Sequence, residues 1–248
     1  MIVKQLSHKL ATQIEESEMN WKQECKEVTI DGKIGWLVNP KELSEKFQEE
    51  LVSALYPIAK SAFGQEDSNG FYQDVRDHIL NTDNLLIVVD TAGKPIAFRM
   101  WKFINHSDYT VLYLAGMCVD SEWQGKGLGR AMLQFVINHT ETVNVYWTHA
   151  ALRTQNPVMQ KCFDGISIKS AMYKFGDAVI PVEIQEVARI VAISIGDTKL
   201  EPEKLVSRKV YGSSLYGEKT RIVEKSQGTN FANLNQEVGD AAYCILCK

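Results

Sequence analysis

Asp120-Ser121-Glu122-Trp123-Gln124-Gly125-Lys126-Gly127-Leu128-Gly129-Arg130 is the stretch whose reading decides the fold. The apolar run Val111 to Val119 enters it. Leu128, Ala131, Met132, Phe135 and Val136 leave it at i, i+3, i+4, i+7 and i+8, with Arg130, Gln134 and Asn138 on the other side. The reading is strand, glycine turn, amphipathic helix. A helix start carries unpaired backbone N–H groups and partial positive charge, and glycines let those groups approach a ligand closely. The arrangement favours a phosphate or pyrophosphate.

Working outward, Val143 to Ala150 reads as the next strand, and the order strand, helix, strand predicts a right-handed parallel crossover. Asn156-Pro157 opens a shorter helix through about Phe163, with proline in its favoured first position, and Ile166 to Lys174 reads as a further strand. Upstream, Leu85 to Asp90 and Pro95 to Phe103 alternate about the turn Thr91-Ala92-Gly93-Lys94, an antiparallel hairpin. Lys26 to Ile30 and Ile34 to Val38 flank Asp31-Gly32-Lys33 as a second hairpin. Between the hairpins, Leu43, Phe47, Leu51, Leu55, Ile58 and Ala62 follow a helical repeat that Gly64 stops, and a second helix is expected from about Phe71 to Leu80.

Downstream, Pro181 to Ile195 reads as helix, Gly196 to Gly239 is polar and turn-rich, and Ala241 to Cys247 returns to strand character. If this last strand pairs beside Ile166 to Lys174, residues near 178–238 are an insertion between two sheet neighbours. The expected plan is one domain over residues 1–248. Residues 1–84 supply strands and helices, 85–177 the core, 178–238 the insertion and 239–248 a closing strand.

A chain of 248 residues with 45% hydrophobic content can bury a substantial core. The formal charge of -4 and the scattering of the 27 basic residues argue against a nucleic-acid partner. The start, Met1-Ile-Val-Lys-Gln-Leu-Ser-His, has no apolar leader pattern. Val187 to Ile195 is too short to span a bilayer and includes Arg189. The expectation is a soluble, cytoplasmic protein without a membrane partner. Five scattered cysteines, an odd number, do not resemble a disulfide framework. Cys244 and Cys247 have C-x-x-C spacing, but on a strand positions three apart face opposite ways, and no second Cys/His pair lies nearby. No metal site is expected.

Two familiar phosphate motifs fail on the residues themselves. The dinucleotide pattern G-x-G-x-x-G read from Gly125 needs glycine or alanine where Arg130 stands, and read from Gly127 it meets Met132. The P-loop pattern needs glycine at Asp120 and serine or threonine at Gly127. What remains, Gln124-Gly125-Lys126-Gly127-Leu128-Gly129, resembles Q/R-x-x-G-x-G/A, the pyrophosphate loop of the GNAT superfamily of acyl-CoA-dependent N-acyltransferases. The resemblance extends to the strand before the loop, the parallel strand after its helix and the short helix opening at an asparagine, and covers roughly Leu85 to Lys174.

The resemblance implies an α/β fold of α+β type: a mixed, mostly antiparallel sheet with helices on both faces. The family's fourth and fifth strands form a parallel pair splayed around the cofactor. It implies acetyl-CoA as co-substrate. Gln124, Gly125, Lys126, Gly127, Leu128, Gly129 and Arg130 would hold the pyrophosphate through backbone N–H groups, with Lys126 and Arg130 either adding charge or standing in solvent. Met117, Cys118 and Val119 would border the pantetheine arm, with a backbone N–H of that strand against the thioester carbonyl. Asn156 would contact the pantetheine, cap its helix, or do both.

The implied reaction is direct attack of a primary amine on the acyl thioester, which needs a base for the amine and an acid for the departing thiolate. The tyrosine that the family often places seven residues beyond the asparagine is here Phe163, preceded by Cys162. For the base, His149 on the strand Val143 to Ala150 is the candidate, because histidine accepts a proton near neutral pH. Glu122 sits too close to the phosphates. Cys118 and Cys162 lack the partners of a covalent mechanism, and Tyr113 and Tyr173 are either pocket or core residues. Two classes follow: an amine acyltransferase, or a CoA-binding regulatory domain without turnover. The acceptor is open among protein amines, polyamines, amino sugars and amino acids, with the insertion and N-terminal helices expected to flank its cleft. The oligomeric state is open too, a homodimer included.

Overall fold

The computed structural model describes residues 22, 24–166, 171–217 and 229–248. β1 (Lys26–Ile30) and β2 (Lys33–Val38) form the first hairpin, turning on Asp31 and Gly32 at positive φ. α1 (Glu45–Phe63) starts where the Ser44 hydroxyl accepts the Phe47 amide and stops at Gly64, whose left-handed φ of 61° ends the helix. α2 (Asn69–Leu80) is capped the same way by Ser68. β3 (Asn84–Val89), β4 (Pro95–His106) and β5 (Tyr109–Val119) then run as an antiparallel meander.

The quoted glycine stretch connects β5 to α3 (Leu128–Thr142), followed by β6 (His149–Thr154) and α4 (Pro157–Asp164). β7 (Met172–Lys174), α5 (Val182–Ser194), the two-residue strands β8 (Leu200–Glu201) and β9 (Val206–Ser207), and β10 (Ala241–Cys247) complete the described elements. Of the strand expected over Ile166 to Lys174, residues 167–170 lie outside the described residues. The strand order is β1-β2-β3-β4-β5-β6-β10-β9-β8, with β7 also paired to β10. β5 and β6 are parallel, and every other pair is antiparallel. β10 thus lies beside β6, β7 and β9, and α5, β8 and β9 stand between β7 and β10 along the chain.

One sheet face buries Leu112, Leu114, Met132, Leu133, Val136, Trp147 and Phe163 beneath α3 and α4. The other buries Leu51, Leu55, Phe98 and Met100 under α1 and α2, and Val111, Tyr113, Val187, Val191 and Ile245 under α5. The faces explain the paired cysteines: Cys244 is buried among the α3 and α4 residues, while Cys247 packs against those of α5. Among the described residues no helix is long and apolar enough to cross a membrane, and no cluster of His, Cys, Asp or Glu could hold a metal ion.

The strand expected over Val143 to Ala150 is misplaced. Val143 and Tyr146 are exposed, Asn144 has φ 55°, and hydrogen-bonded strand begins only at His149 and continues to Thr154. The β-branched and aromatic residues that look like strand instead form the turn out of α3. Trp147 is buried there, with its indole N–H donated to the Thr140 hydroxyl at 3.1 Å. His149 therefore stands at the start of β6, not near its end.

Two irregularities shape the centre of the sheet. β6 pairs with β5 only at Val111 to Tyr113, and beyond that the two parallel strands diverge. In the same region the β4–β5 register shifts between Met100 and Lys102, so that Leu114 and Ala115 together oppose Trp101, a bulge that turns the strand and frees backbone groups from the ladder.

Candidate cofactor and acceptor site

The glycine loop sits at the end of β5. Gly125 and Gly127 have φ of 77° and 84°, a conformation that L side chains rarely adopt, and a Cβ built at either position meets no atom within 4 Å. These two glycines are required by the backbone and leave open room above their amides. Gly129 differs: its Cβ would lie 2.8 Å from Met117 Cε, so it lets α3 pack closely on β5. No side chain caps α3 at Gly127, which leaves its first-turn N–H groups to other acceptors.

Neighbouring side chains hold the loop. Gln124 donates its amide N–H to the Val119 carbonyl at 3.0 Å, and Asp120 accepts from the Glu122 amide. The Ser121 amide donates to the Ser61 hydroxyl at 3.0 Å, which fixes the loop to α1. Lys126 and Lys33 lie 4.7 and 5.1 Å from the Trp123 ring centroid, so two cations gather on one indole beside the loop. Arg130 donates to the Gly165 carbonyl at the end of α4. Glu122 is exposed in the turn after β5.

Where β5 and β6 diverge, a cavity of about 470 Å³ opens through the sheet. Leu114 to Cys118 of β5, Leu152 to Thr154 of β6 and the following Gln155 form its sides, Met159 borders it from α4, and Phe63, Phe71, Asp74 and His78 border it from α1 and α2. A second cavity, of about 260 Å³, shares Asp74, His78, Ala115, Arg153 and Tyr211 with it and adds Asp77, Lys102 and Tyr113. The two cavities adjoin along these shared residues.

Residues 211–217 form a strap over one wall. Gln155, buried at the end of β6, accepts from the Leu215 amide at 2.9 Å and donates to the Asp240 carbonyl at 2.8 Å. Gln65 donates to the Leu215 carbonyl, and the Gly217 amide donates to the Phe63 carbonyl. The strap thereby ties the end of β6 to the end of α1. It brings Tyr211 over the Arg153 guanidinium at 4.8 Å and hydrogen-bonds Tyr216 to the Asn156 side chain. Asn156 also caps α4, accepting the Val158 amide at 2.9 Å.

Beneath the strap, Asp197 is buried. It accepts Arg153 at 2.9 Å, Tyr243 at 2.7 Å and the Lys199 amide at 2.9 Å, together with the Ser207 hydroxyl. Burial alone would raise its carboxyl, but these donors outweigh it and hold Asp197 below the usual carboxylate range.

On the α2 rim, His78 Nδ1 lies 2.7 Å from the Asp74 carbonyl and 3.4 Å from the Asp74 carboxylate. His149 is elsewhere. It pairs with Val111 at the start of β5, roughly 25 Å along an extended strand from the glycine loop. It is buried against Tyr109 and lines neither cavity. Burial pushes its imidazole below its ordinary value, with Glu183 opposing. The structure does not bring the expected base to the loop.

Burial pushes the Cys118 thiol up to about 12 and raises Cys162, so neither is an activated thiolate. Phe163 is fully buried in the core under α4. Tyr113 is buried and borders the second cavity, whereas Tyr173 packs against the α5 side of the core.

Arg99 is the residue that sequence reading missed most clearly. It is 1% exposed, borders the larger cavity, and its Nε and both terminal nitrogens have no hydrogen-bond partner among the described residues. Its signal was a single charge inside the apolar run Ile96-Ala97-Phe98-Arg99-Met100-Trp101. An unpaired buried charge costs several kcal/mol. Burial lowers its guanidinium to about 10, with Cys162 opposing, so it stays charged at neutral pH.

Residues 52–164 match the Acetyltransferase (GNAT) family. The matched segment runs from α1 through α4 and includes the glycine loop, while the strap and β10 lie outside it. The fold resembles that of a ribosomal-protein-S5-alanine acetyltransferase from Vibrio fischeri, at 16% identity over 61% of this chain and 88% of that one, with a TM-score of 0.42. A ribosomal-protein-S18-alanine N-acetyltransferase from Escherichia coli gives 18%, 60%, 86% and 0.40. A GNAT family N-acetyltransferase from Escherichia coli in complex with CoA gives 15%, 45%, 61% and 0.37. No curated protein matches the chain.

Proposed function

We propose that this protein is an N-acetyltransferase that takes acetyl-CoA as co-substrate and transfers its acetyl group to a primary amine. The observation that carries the reading is the glycine loop: two positive-φ glycines with open space above them, at an uncapped helix start, following a strand that splays from its parallel neighbour. The residues fit the group. Amides of Gly125 to Gly129, with Gln124, Lys126 and Arg130 around them, would hold the pyrophosphate. Met117, Cys118 and Val119, opposite no β6 residue, would border the pantetheine together with Asn156. The thioester supplies an activated acyl carbon.

The acceptor enters from the α1/α2 side, between α2 and the strap. Asp74 and Asp77 give that rim negative charge suited to a cationic amine, and His78, oriented by Asp74, takes the amine's proton. His78 replaces His149 in this role because it borders both cavities.

Calorimetric titration with acetyl-CoA, beside NAD and ATP, tests the cofactor. Release of free CoA is then followed with peptide N-termini, polyamines, amino sugars and amino acids. Micromolar binding of acetyl-CoA alone, with amine-dependent CoA release, supports the reading, and absence of binding removes it. Phe163, buried where the family's acid often stands, favours a second reading, a CoA-binding domain without turnover. Binding with no CoA release for any amine assigns that one.

A further inference from the structure

Phe163 puts no proton donor at the α4 position where the family often has one, while a charged side chain is buried nearby with no hydrogen-bond partner among the described residues. Arg99 stands on β4 opposite Met117 of β5, on the face covered by α3 and α4. Its charge acts on Cys162 of α4, one residue from Phe163. It borders the cavity together with Gly116, Met117, Leu152 and Met159, apolar apart from backbone, so no carboxylate from these neighbours neutralises it. We infer that Arg99 is the anion site for the sulfur of coenzyme A, pairing with the thiolate as it departs.

The inference rests on the proposed acetyl transfer. In that step the amine nitrogen bonds to the acyl carbon, and the carbon–sulfur bond breaks with its electron pair passing to sulfur. The amine's proton goes to His78 and then to solvent. The thiolate needs no proton at the moment of departure if a guanidinium faces it, and it is protonated by water on release. A guanidinium cannot serve as the acid itself, because it holds its proton at neutral pH. It acts as fixed positive charge on a side chain only 1% exposed, and charge shielded from water is most effective. Titratable and charged groups facing this region are Cys162 and Arg130 from α4 and α3, Cys118 from β5, Arg153 from β6, Tyr211 and Tyr216 from the strap, and His78 and Asp74 from α2.

The test is equilibrium binding of free CoA and of desulfo-CoA to the full-length protein from pH 6 to pH 9. A free thiol titrates near about 8.5, and each unit by which the protein lowers it strengthens CoA about tenfold as pH rises through that range. The expected result is CoA affinity rising about tenfold or more against desulfo-CoA in the wild type, flat in Arg99→Met and restored in Arg99→Lys. If both ligands bind the wild type with parallel pH profiles, the inference is overturned while acetyl transfer stands. If neither binds, both fall. The wild-type comparison decides the matter even if the Met variant does not fold.

Discussion

Gly127→Asp separates the folding role of the glycine loop from its binding role. At φ 84° a non-glycine residue is strained, and alanine there should cost roughly 1 to 2 kcal/mol, or roughly 2 to 8 °C in Tm for a chain of this size. Nothing within 4 Å clashes with the new Cβ, so no packing cost is added. Aspartate tolerates the left-handed region better than alanine, and its charge at a helix N-terminus returns about 0.3 to 1 kcal/mol. The folded state should therefore be no less stable as Gly127→Asp than as Gly127→Ala. Binding should order the two variants oppositely. A carboxylate about 4 Å from a phosphate is repelled by about 1 kcal/mol at the dielectric of water and about 4 kcal/mol at a surface value near 20. That corresponds to a roughly five- to several-hundred-fold loss of acetyl-CoA affinity, shrinking as salt is raised. Thermal melts and calorimetry on both variants at low and high salt make the comparison. Equal acetyl-CoA affinity in wild type and Gly127→Asp, both folded, would refute a phosphate cradle here.

His78→Ala should lower kcat about a hundredfold or more with acetyl-CoA affinity unchanged, measured by CoA release and calorimetry; unchanged kcat sinks its assignment as base. Asp197→Asn should cost roughly 3 to 5 kcal/mol in denaturant unfolding, because Arg153 loses its charged partner. Since Asp197 is held below its unfolded value, its stabilisation is present above about pH 4 and lost as pH falls through the folded value, so the variant should show a shallower acid dependence. Gln155→Ala leaves the Leu215 amide without its acceptor, should cost roughly 1 to 3 kcal/mol, and should speed proteolysis within residues 211–217; an unchanged cleavage pattern argues against the strap.

The sequence by itself determined what depends on neighbours along the chain. Gly125 and Gly127 announced a turn only glycine makes readily, and Asn156-Pro157 announced a helix start. The apolar spacing after Leu128 showed which face of α3 would be buried. Each signal is a backbone or periodicity constraint satisfied within a few residues. Tertiary structure decided the rest. Val143 to Trp147 satisfies strand propensity, but the hydrogen bond of Trp147 to Thr140 and the register of β6 against β5 and β10 delay the strand to His149. That carries His149 away from the loop. The cavity exists because β5 and β6 part after Tyr113, a property of pairing rather than of either strand. His78, Arg99 and Gln155 come from a helix, a strand and the turn after another strand, and only packing sets them around that opening. Residues 211–217 reach it through hydrogen bonds to partners some 60 and 150 positions away. Local propensity records what one segment prefers, whereas a site is a meeting of distant segments whose positions follow from the burial they share.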